Sequence, residues 1–121
     1  MAESQLTVHG IQGVTVVDFR APAMLDSSII EAVAAELYCL VDAKATKRIL
    51  LDFQKVRFLA SQGVGVLITL KKKADAIGGQ VAICGMRDEI RRVFKIMNLQ
   101  KLFAFYDSEK DALAAWDIYT A

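Results

Sequence analysis

The sequence predicts a single domain of the α/β class, a sheet covered by helices on at least one face. Short apolar runs rich in β-branched residues alternate along the chain with longer segments that have helical periodicity. The 121 residues fit one compact domain, and a hydrophobic content of 55% with a single proline excludes a disordered chain. The predicted order of elements is β-β-α-β-α-β-α-β-α.

The first two strands are predicted to form a hairpin. Leu6–Ile11 alternates weakly between apolar and polar residues, and Val14–Phe19 is apolar and β-branched. Between them, Gln12-Gly13 has the composition of a two-residue turn.

A long amphipathic helix is predicted after Pro22, which interrupts the extended chain. Ser28 and Glu31 have the spacing of a capping box at its start. Apolar residues then recur with the helical period, at Ile30, Val33, Ala34, Leu37, Leu40 and Val41.

Strands and helices continue to alternate in the second half of the chain. Arg48–Phe53 and Val81–Cys84 are short and apolar, as in buried strands. Between them, Gln62 to about Ile77 is predicted to be a helix that ends at Gly78-Gly79.

The last elements are a helix, a short strand and a final helix. Asp88–Met97 is predicted to be helical, with Asn98 as a left-handed stop. The residues expected on its buried face are Ile90, Val93, Phe94 and Met97. Phe105-Tyr106 is predicted to be the last strand, and Ser108 and Asp111 to begin a helix that runs through Leu113 to Trp116.

Composition excludes several classes of function. A net charge of +1 gives no reason to expect nucleic acid or a membrane surface as partner, and the most apolar run, Gly63–Leu70, is too short to span a bilayer. The polar start, Met1–Gln5, indicates no leader. Cys39 and Cys84 have no histidine nearby in sequence, so we expect two buried thiols, no metal and a reducing, cytoplasmic environment.

The stretch Arg57–Val66, "RFLASQGVGV", holds the residues of greatest functional interest. Ser61 is predicted to cap the following helix by accepting from the N–H of Gly63 or Val64. Glycines so early in a helix indicate close approach of backbone or of a partner, but Gly63 and Gly65 do not form a phosphate-binding loop. The first half of this helix is apolar around most of its circumference, so either the domain buries both faces or one is exposed to a partner.

A phosphate on Ser61 would act on binding rather than on folding. It would add about −1.5 to −2 charges next to the positive end of a helix, which is favourable by about 0.3–2 kcal/mol. Facing an apolar partner, the same dianion would lose its hydration at a cost of several kcal/mol, and about 1.4 kcal/mol already weakens binding tenfold.

From about Ile49 to Leu113 the sequence resembles the STAS domain family and, more narrowly, the bacterial anti-sigma factor antagonists. The joint spacing over about 60 residues is the specific feature, since no single motif is diagnostic. The matching positions are Leu51-Asp52, Val56, Phe58, Ser61, Gly63, Gly65, Gly78-Gly79 and Leu99–Phe103.

The resemblance implies a STAS-type fold with a mixed sheet of four or five strands and about four helices packed mainly on one side. It also implies that Ser61 is phosphorylated by an anti-sigma factor that is a serine kinase, and restored by a serine phosphatase. The unmodified protein would sequester the kinase, without a cofactor. The expected partner-binding residues are Ala60, Ser61, Gln62, Gly63, Val64, Gly65 and Leu67.

Two departures from the family pattern keep an alternative open. Ala60 replaces an acidic residue and Gln62 a small one. A STAS domain without phosphorylation would serve as an accessory subunit of a lipid-transport ATPase or as a scaffold in a stress-signalling assembly. Catalysis is not expected, because His9 lies in a predicted edge strand and Asp52 is best explained as a strand-end residue bonded to nearby backbone.

Overall fold

The computed structural model describes residues 6–20, 23–24, 27–59 and 61–118, and within these it forms a five-stranded sheet with helices on both faces. The strands of this sheet are β1 (Leu6–Ile11), β2 (Val14–Phe19), β4 (Arg48–Asp52), β6 (Gln80–Cys84) and β7 (Ala104–Tyr106). Their order across the sheet is β1-β2-β4-β6-β7. The mixed five-stranded sheet confirms the predicted fold class.

The first two strands form the predicted hairpin. They pair antiparallel from Leu6 opposite Phe19 to Ile11 opposite Val14. Gln12 and Gly13 in the turn have φ of 46° and 88°, the positive values that a tight two-residue hairpin turn requires. All remaining neighbours in the sheet are parallel, so β2, β4, β6 and β7 end at the same edge, called here the carboxyl edge.

The four helices of the described chain divide unequally between the two faces of the sheet. They are α1 (Ser27–Asp42), α2 (Ser61–Ala76), α3 (Asp88–Ile96) and α4 (Glu109–Ala115). Alternate residues of β4 point to opposite faces: Ile49 and Leu51 pack in the core that α1, α2 and α3 share. Leu50 packs with Ala112 and Leu113 of α4 on the other face. The helices therefore lie mainly on one side, as predicted, with α4 as the exception.

Helix ends follow the predicted local signals. Gly78 has φ of 71°. The N–H of Gly78 donates to the backbone carbonyl of Asp75, and that of Gly79 to the backbone carbonyl of Ala74. This is the hydrogen-bond pattern of a Schellman motif, which satisfies the last carbonyls of α2. Asn98, with φ of 61°, ends α3 in the same way. The predicted capping box at Ser28 lies outside the described side chains.

Two short strands were not predicted. β3 (Ala23–Met24) and β5 (Phe58–Leu59) pair parallel with each other, outside the main sheet. Two residues are too few to produce a periodic pattern, so the sequence carries no signal for them. β5 matters for function because it leads directly into α2.

Three burial predictions require correction. Val93 and Met97 of the α3 segment are 37% and 45% exposed, because the helix buries only Ile90 and Phe94. Cys39 is exposed on α1. Cys84 is fully buried as predicted, and burial raises the pKa of its thiol. No helix in the described part of the chain is long and apolar enough to cross a membrane.

Candidate partner-binding site at the start of helix α2

Ser61 lies at the exposed N-terminal end of α2, two residues after the end of β5. The helix begins at Ser61 itself, one residue earlier than predicted. Ser61 therefore occupies the first helical position rather than the predicted capping position. Ser61 and Gln62 are both exposed to solvent. The structure thus presents the hydroxyl on the surface, at the positive end of a four-turn helix.

The apolar residues of the predicted site lie beneath this surface rather than on it. Val64 is 1% exposed and Leu67 0%, and both belong to the core shared by α1, α2 and α3. Gly63 is also buried. Burial by the domain, not an exposed apolar patch, accounts for the hydrophobic first half of α2. In this conformation Gly63, Val64 and Leu67 support the site from within, and the surface they support consists of Ser61, Gln62 and Gly65.

The structure explains why residue 63 of α2 is a glycine, but it gives no such reason for residue 65. A Cβ on Gly63 would lie 2.5 Å from Leu59 Cδ1 and 3.3 Å from Ile30 Cδ1, so the absence of a side chain lets the helix pack against α1 and β5. A Cβ on Gly65 would meet nothing within 4 Å. Packing within this chain therefore explains Gly63, whereas nothing in the described structure requires glycine at position 65.

Gly65→Ala is expected to raise the free energy of unfolding by about 0.5–1 kcal/mol, because alanine loses less backbone entropy in a helix. Chemical denaturation measures the change. The matched variant Gly63→Ala gains the same propensity but must displace Leu59, so it should be less stable than Gly65→Ala. The opposite ranking would contradict the packing described for Gly63.

A second polar cluster lies at the carboxyl edge and was not predicted as a group. Single carboxylate oxygens of Asp18, Asp52 and Glu109 lie within 4.8 Å of one another. The two ring nitrogens of His9 face this cluster: Nδ1 lies 3.9 Å from Asp18 Oδ2, and Nε2 lies 3.9 Å from Glu109 Oε1. These residues come from four different elements, so no sequence spacing could have indicated the cluster. Such oxygens could hold a cation, although clustered carboxylates alone do not identify one.

The surroundings of Asp52 shift the pKa of its carboxyl group. Its Oδ1 accepts from the Gln54 N–H at 2.9 Å, which confirms the predicted bond to nearby backbone. Burial raises the pKa of Asp52 above its ordinary value of 3.8, and the like charges of Asp18 and Glu109 add to this effect. The hydrogen bond from Gln54 opposes the shift without cancelling it.

Asp52→Asn is expected to stabilise the protein at pH 7. The folded state holds the Asp52 proton more tightly than the unfolded chain, so the wild type loses stability as pH rises above 3.8. Asparagine keeps an acceptor for the Gln54 N–H and removes the charge. Thermal melts from pH 3 to pH 8 should show the variant's advantage growing with pH and vanishing at the acid end. A variant less stable than wild type at pH 7 would contradict the assignment.

The sequence profile of the STAS domain family matches residues 5–112, nearly the whole chain. This chain belongs to the STAS domain family. Among curated relatives, BtrV of Bordetella bronchiseptica is 27% identical over 112 residues and covers 93% of this chain and 94% of its own. Its name assigns it provisionally to the anti-sigma factor antagonists. The anti-sigma F factor antagonist of Paenibacillus polymyxa is 25% identical over 114 residues, and the alignment covers 94% of this chain and 96% of its own.

Solved STAS structures agree with the fold. An anti-sigma factor antagonist from Mycobacterium paratuberculosis superimposes with a TM-score of 0.80 at 25% identity, covering 93% of each chain. SpoIIAA of Bacillus, in its phosphorylated form, gives a TM-score of 0.72 at 19% identity, covering 92% of this chain and 98% of its own. At 19% identity, the similarity to SpoIIAA shows a shared fold alone.

Proposed function

We propose that this STAS protein is an anti-sigma factor antagonist, which binds an anti-sigma factor through the exposed start of α2. Two relatives named for this role align with it over more than nine-tenths of their length, so the proposal does not depend on a shared fragment. Binding rather than catalysis is the expected activity.

The observation that carries the proposal is the exposure of Ser61 at the start of α2, a helix whose inner face is buried in the core. Ser61 and Gln62 are exposed, while Val64 and Leu67 directly below them are 1% and 0% exposed. A kinase can therefore reach the hydroxyl without any rearrangement of the core. The rigid support also means that a charge added at Ser61 alters the surface rather than the fold.

Phosphorylation of Ser61 is the proposed off-switch. The first turn of α2 contains no acidic residue, so a phosphate there meets the positive helix end without a like charge in that turn. In the complex, the same phosphate would be pressed against the partner and lose hydration, which opposes binding. The anti-sigma factor would be the serine kinase, and a serine phosphatase would restore the hydroxyl.

A paired capture from an extract of the native organism tests the proposal. Wild-type protein and Ser61→Asp serve as bait, and mass spectrometry identifies the proteins retained by each. A kinase with an ATP-binding domain, retained by wild type and released by the variant, would support the antagonist role. A transporter ATPase or a scaffold protein retained equally by both would refute the switch and favour the accessory-subunit alternative.

A further inference from the structure

A cavity of about 340 Å³ on the carboxyl edge is lined by basic side chains. Its lining residues are Arg20, Gln54, Lys55, Arg57 and Arg87. Four of these carry a positive charge and none carries a negative one, in a protein whose net charge is only +1. The local excess of charge therefore reflects the placement of these residues and not the overall composition.

The fold brings these residues together from three separate connections. Arg20 directly follows β2, Lys55 and Arg57 lie between β4 and β5, and Arg87 directly precedes α3. Because β2, β4 and β6 are parallel, the chain leaves all three strands at the same edge. Crevices at this edge of a parallel sheet are common positions for ligands.

The cationic side chains are available to a ligand. Among the described residues, no carboxylate forms an ion pair with Lys55, Arg57 or Arg87. Arg20 already engages another group, so the argument depends on the other three. Arg87 directly precedes α3, and its side chain is exposed. Cations that line one cavity without counter-charges repel one another, and a bound anion relieves that repulsion.

Acidic residues lie in a neighbouring cavity and not in this one. That cavity, of about 470 Å³, shares Gln54 with the basic cavity, and its charged lining is mixed: Asp52, Asp88, Asp107 and Glu109 lie there together with Arg91 and Lys110. The basic cavity differs in that none of its lining residues is acidic. This lining of a single sign gives the basic cavity a preference for negative ligands.

We propose that the basic cavity is an anion-binding site for a phosphate group. Guanidinium groups bind phosphate through paired N–H donors, and a lysine adds a compact positive charge. Arg57 and Arg87 supply the first kind of contact and Lys55 the second. The volume is ample for one phosphate group and leaves room for the remainder of a phosphate ester.

The phosphate can come from one of two sources. One is a phosphoserine at position 61, since Arg57 is only four residues away and four extended residues span at most about 14 Å. The other is free phosphate or a small phosphate ester. The anion site itself does not depend on the antagonist role; only its occupation by phosphorylated Ser61 rests on that proposal.

Titration of the full chain with inorganic phosphate at pH 7 and constant ionic strength, followed by amide NMR shifts, tests the site. We expect saturable shifts at residues 54, 55, 57 and 87, with Kd of about 1–10 mM. Arg57→Gln/Arg87→Gln should weaken binding by roughly tenfold or more. The charge-matched control Lys72→Gln/Lys101→Gln, at two exposed lysines outside the cavity, should change the Kd by less than about twofold. Shifts that do not saturate, or that both double variants reduce equally, would mean an adventitious ion only and would overturn the proposal.

Protein carrying phosphoserine at position 61 distinguishes the two sources. If that phosphate occupies the cavity, the amides of residues 55, 57 and 87 shift without added phosphate, and added phosphate binds at least about tenfold more weakly. If the cavity still binds added phosphate with the wild-type Kd, its ligand is a free phosphate or ester. A negative phosphate titration would leave the capture result for the antagonist role intact, so the two proposals fail separately.

Discussion

Replacing Leu67 by alanine is expected to lower the free energy of unfolding by about 2–5 kcal/mol, the usual cost of a large-to-small change in a closed core. Leu67 is 0% exposed and packs in the core shared by α1, α2 and α3. The loss has two causes: the burial of apolar surface is reduced, and the remaining cavity cannot fully collapse. Denaturant unfolding monitored by circular dichroism measures the effect.

Ile96→Ala is the matched control for this prediction. Ile96 is 78% exposed at the end of α3, so its truncation removes little buried surface and should change stability by no more than about 0.5 kcal/mol. Equal losses at Leu67 and Ile96 would show that α2 is not held as described. If Leu67 instead contacted a partner directly, Leu67→Ala would reduce binding without reducing stability.

Ser61→Asp is expected to weaken binding of the captured partner by roughly tenfold or more, which corresponds to about 1.4 kcal/mol. Ser61 is exposed at the first position of α2, so the free protein tolerates the charge, and an acid near a helix N-terminus is favourable by about 0.3–1 kcal/mol. In the complex the carboxylate would be pressed against the partner and lose water, which opposes binding. Isothermal titration calorimetry with the purified partner gives the ratio of affinities, and the melting temperature should not fall.

Ser61→Asn separates charge from shape. Asparagine has nearly the volume of aspartate but no charge, so it should retain most of the affinity. Equal weakening by both variants would indicate that the partner senses the size of the side chain rather than its charge. Equal binding by wild type and Ser61→Asp would contradict the switch.

Signals contained in a few consecutive residues allowed the sequence to predict the elements and their ends. Gln12 and Gly13 form the hairpin turn, and Gly78 and Asn98 end their helices with positive φ. Ser108 caps α4 by accepting from the Asp111 N–H at 3.2 Å, as predicted. These features depend on the conformational preferences of single residues and on local hydrogen bonds, which tertiary packing has not overridden.

Which apolar side chains are exposed depended on tertiary packing, which the periodicity of the sequence does not describe. Val93 and Phe94 have similar positions in the apolar pattern of α3, yet one is 37% exposed and the other 1%. The width of a buried helix face is set by its neighbours, and here Phe94 fills the space beside Phe103 and Phe105. For the same reason Leu67, expected on a partner-binding face, lies in the core.

By itself the sequence determined the α/β class, the order of the main elements and Ser61 as the residue of interest. The tertiary structure decided which of the residues near Ser61 reach the surface, and it alone brought together the clusters at the carboxyl edge. The carboxylate cluster joins Asp18 to Glu109, and the basic cavity joins Arg20 to Arg87. The physical reason is that parallel strands separated by helices place residues far apart in sequence at one edge of the sheet, where their charges act on one another through space.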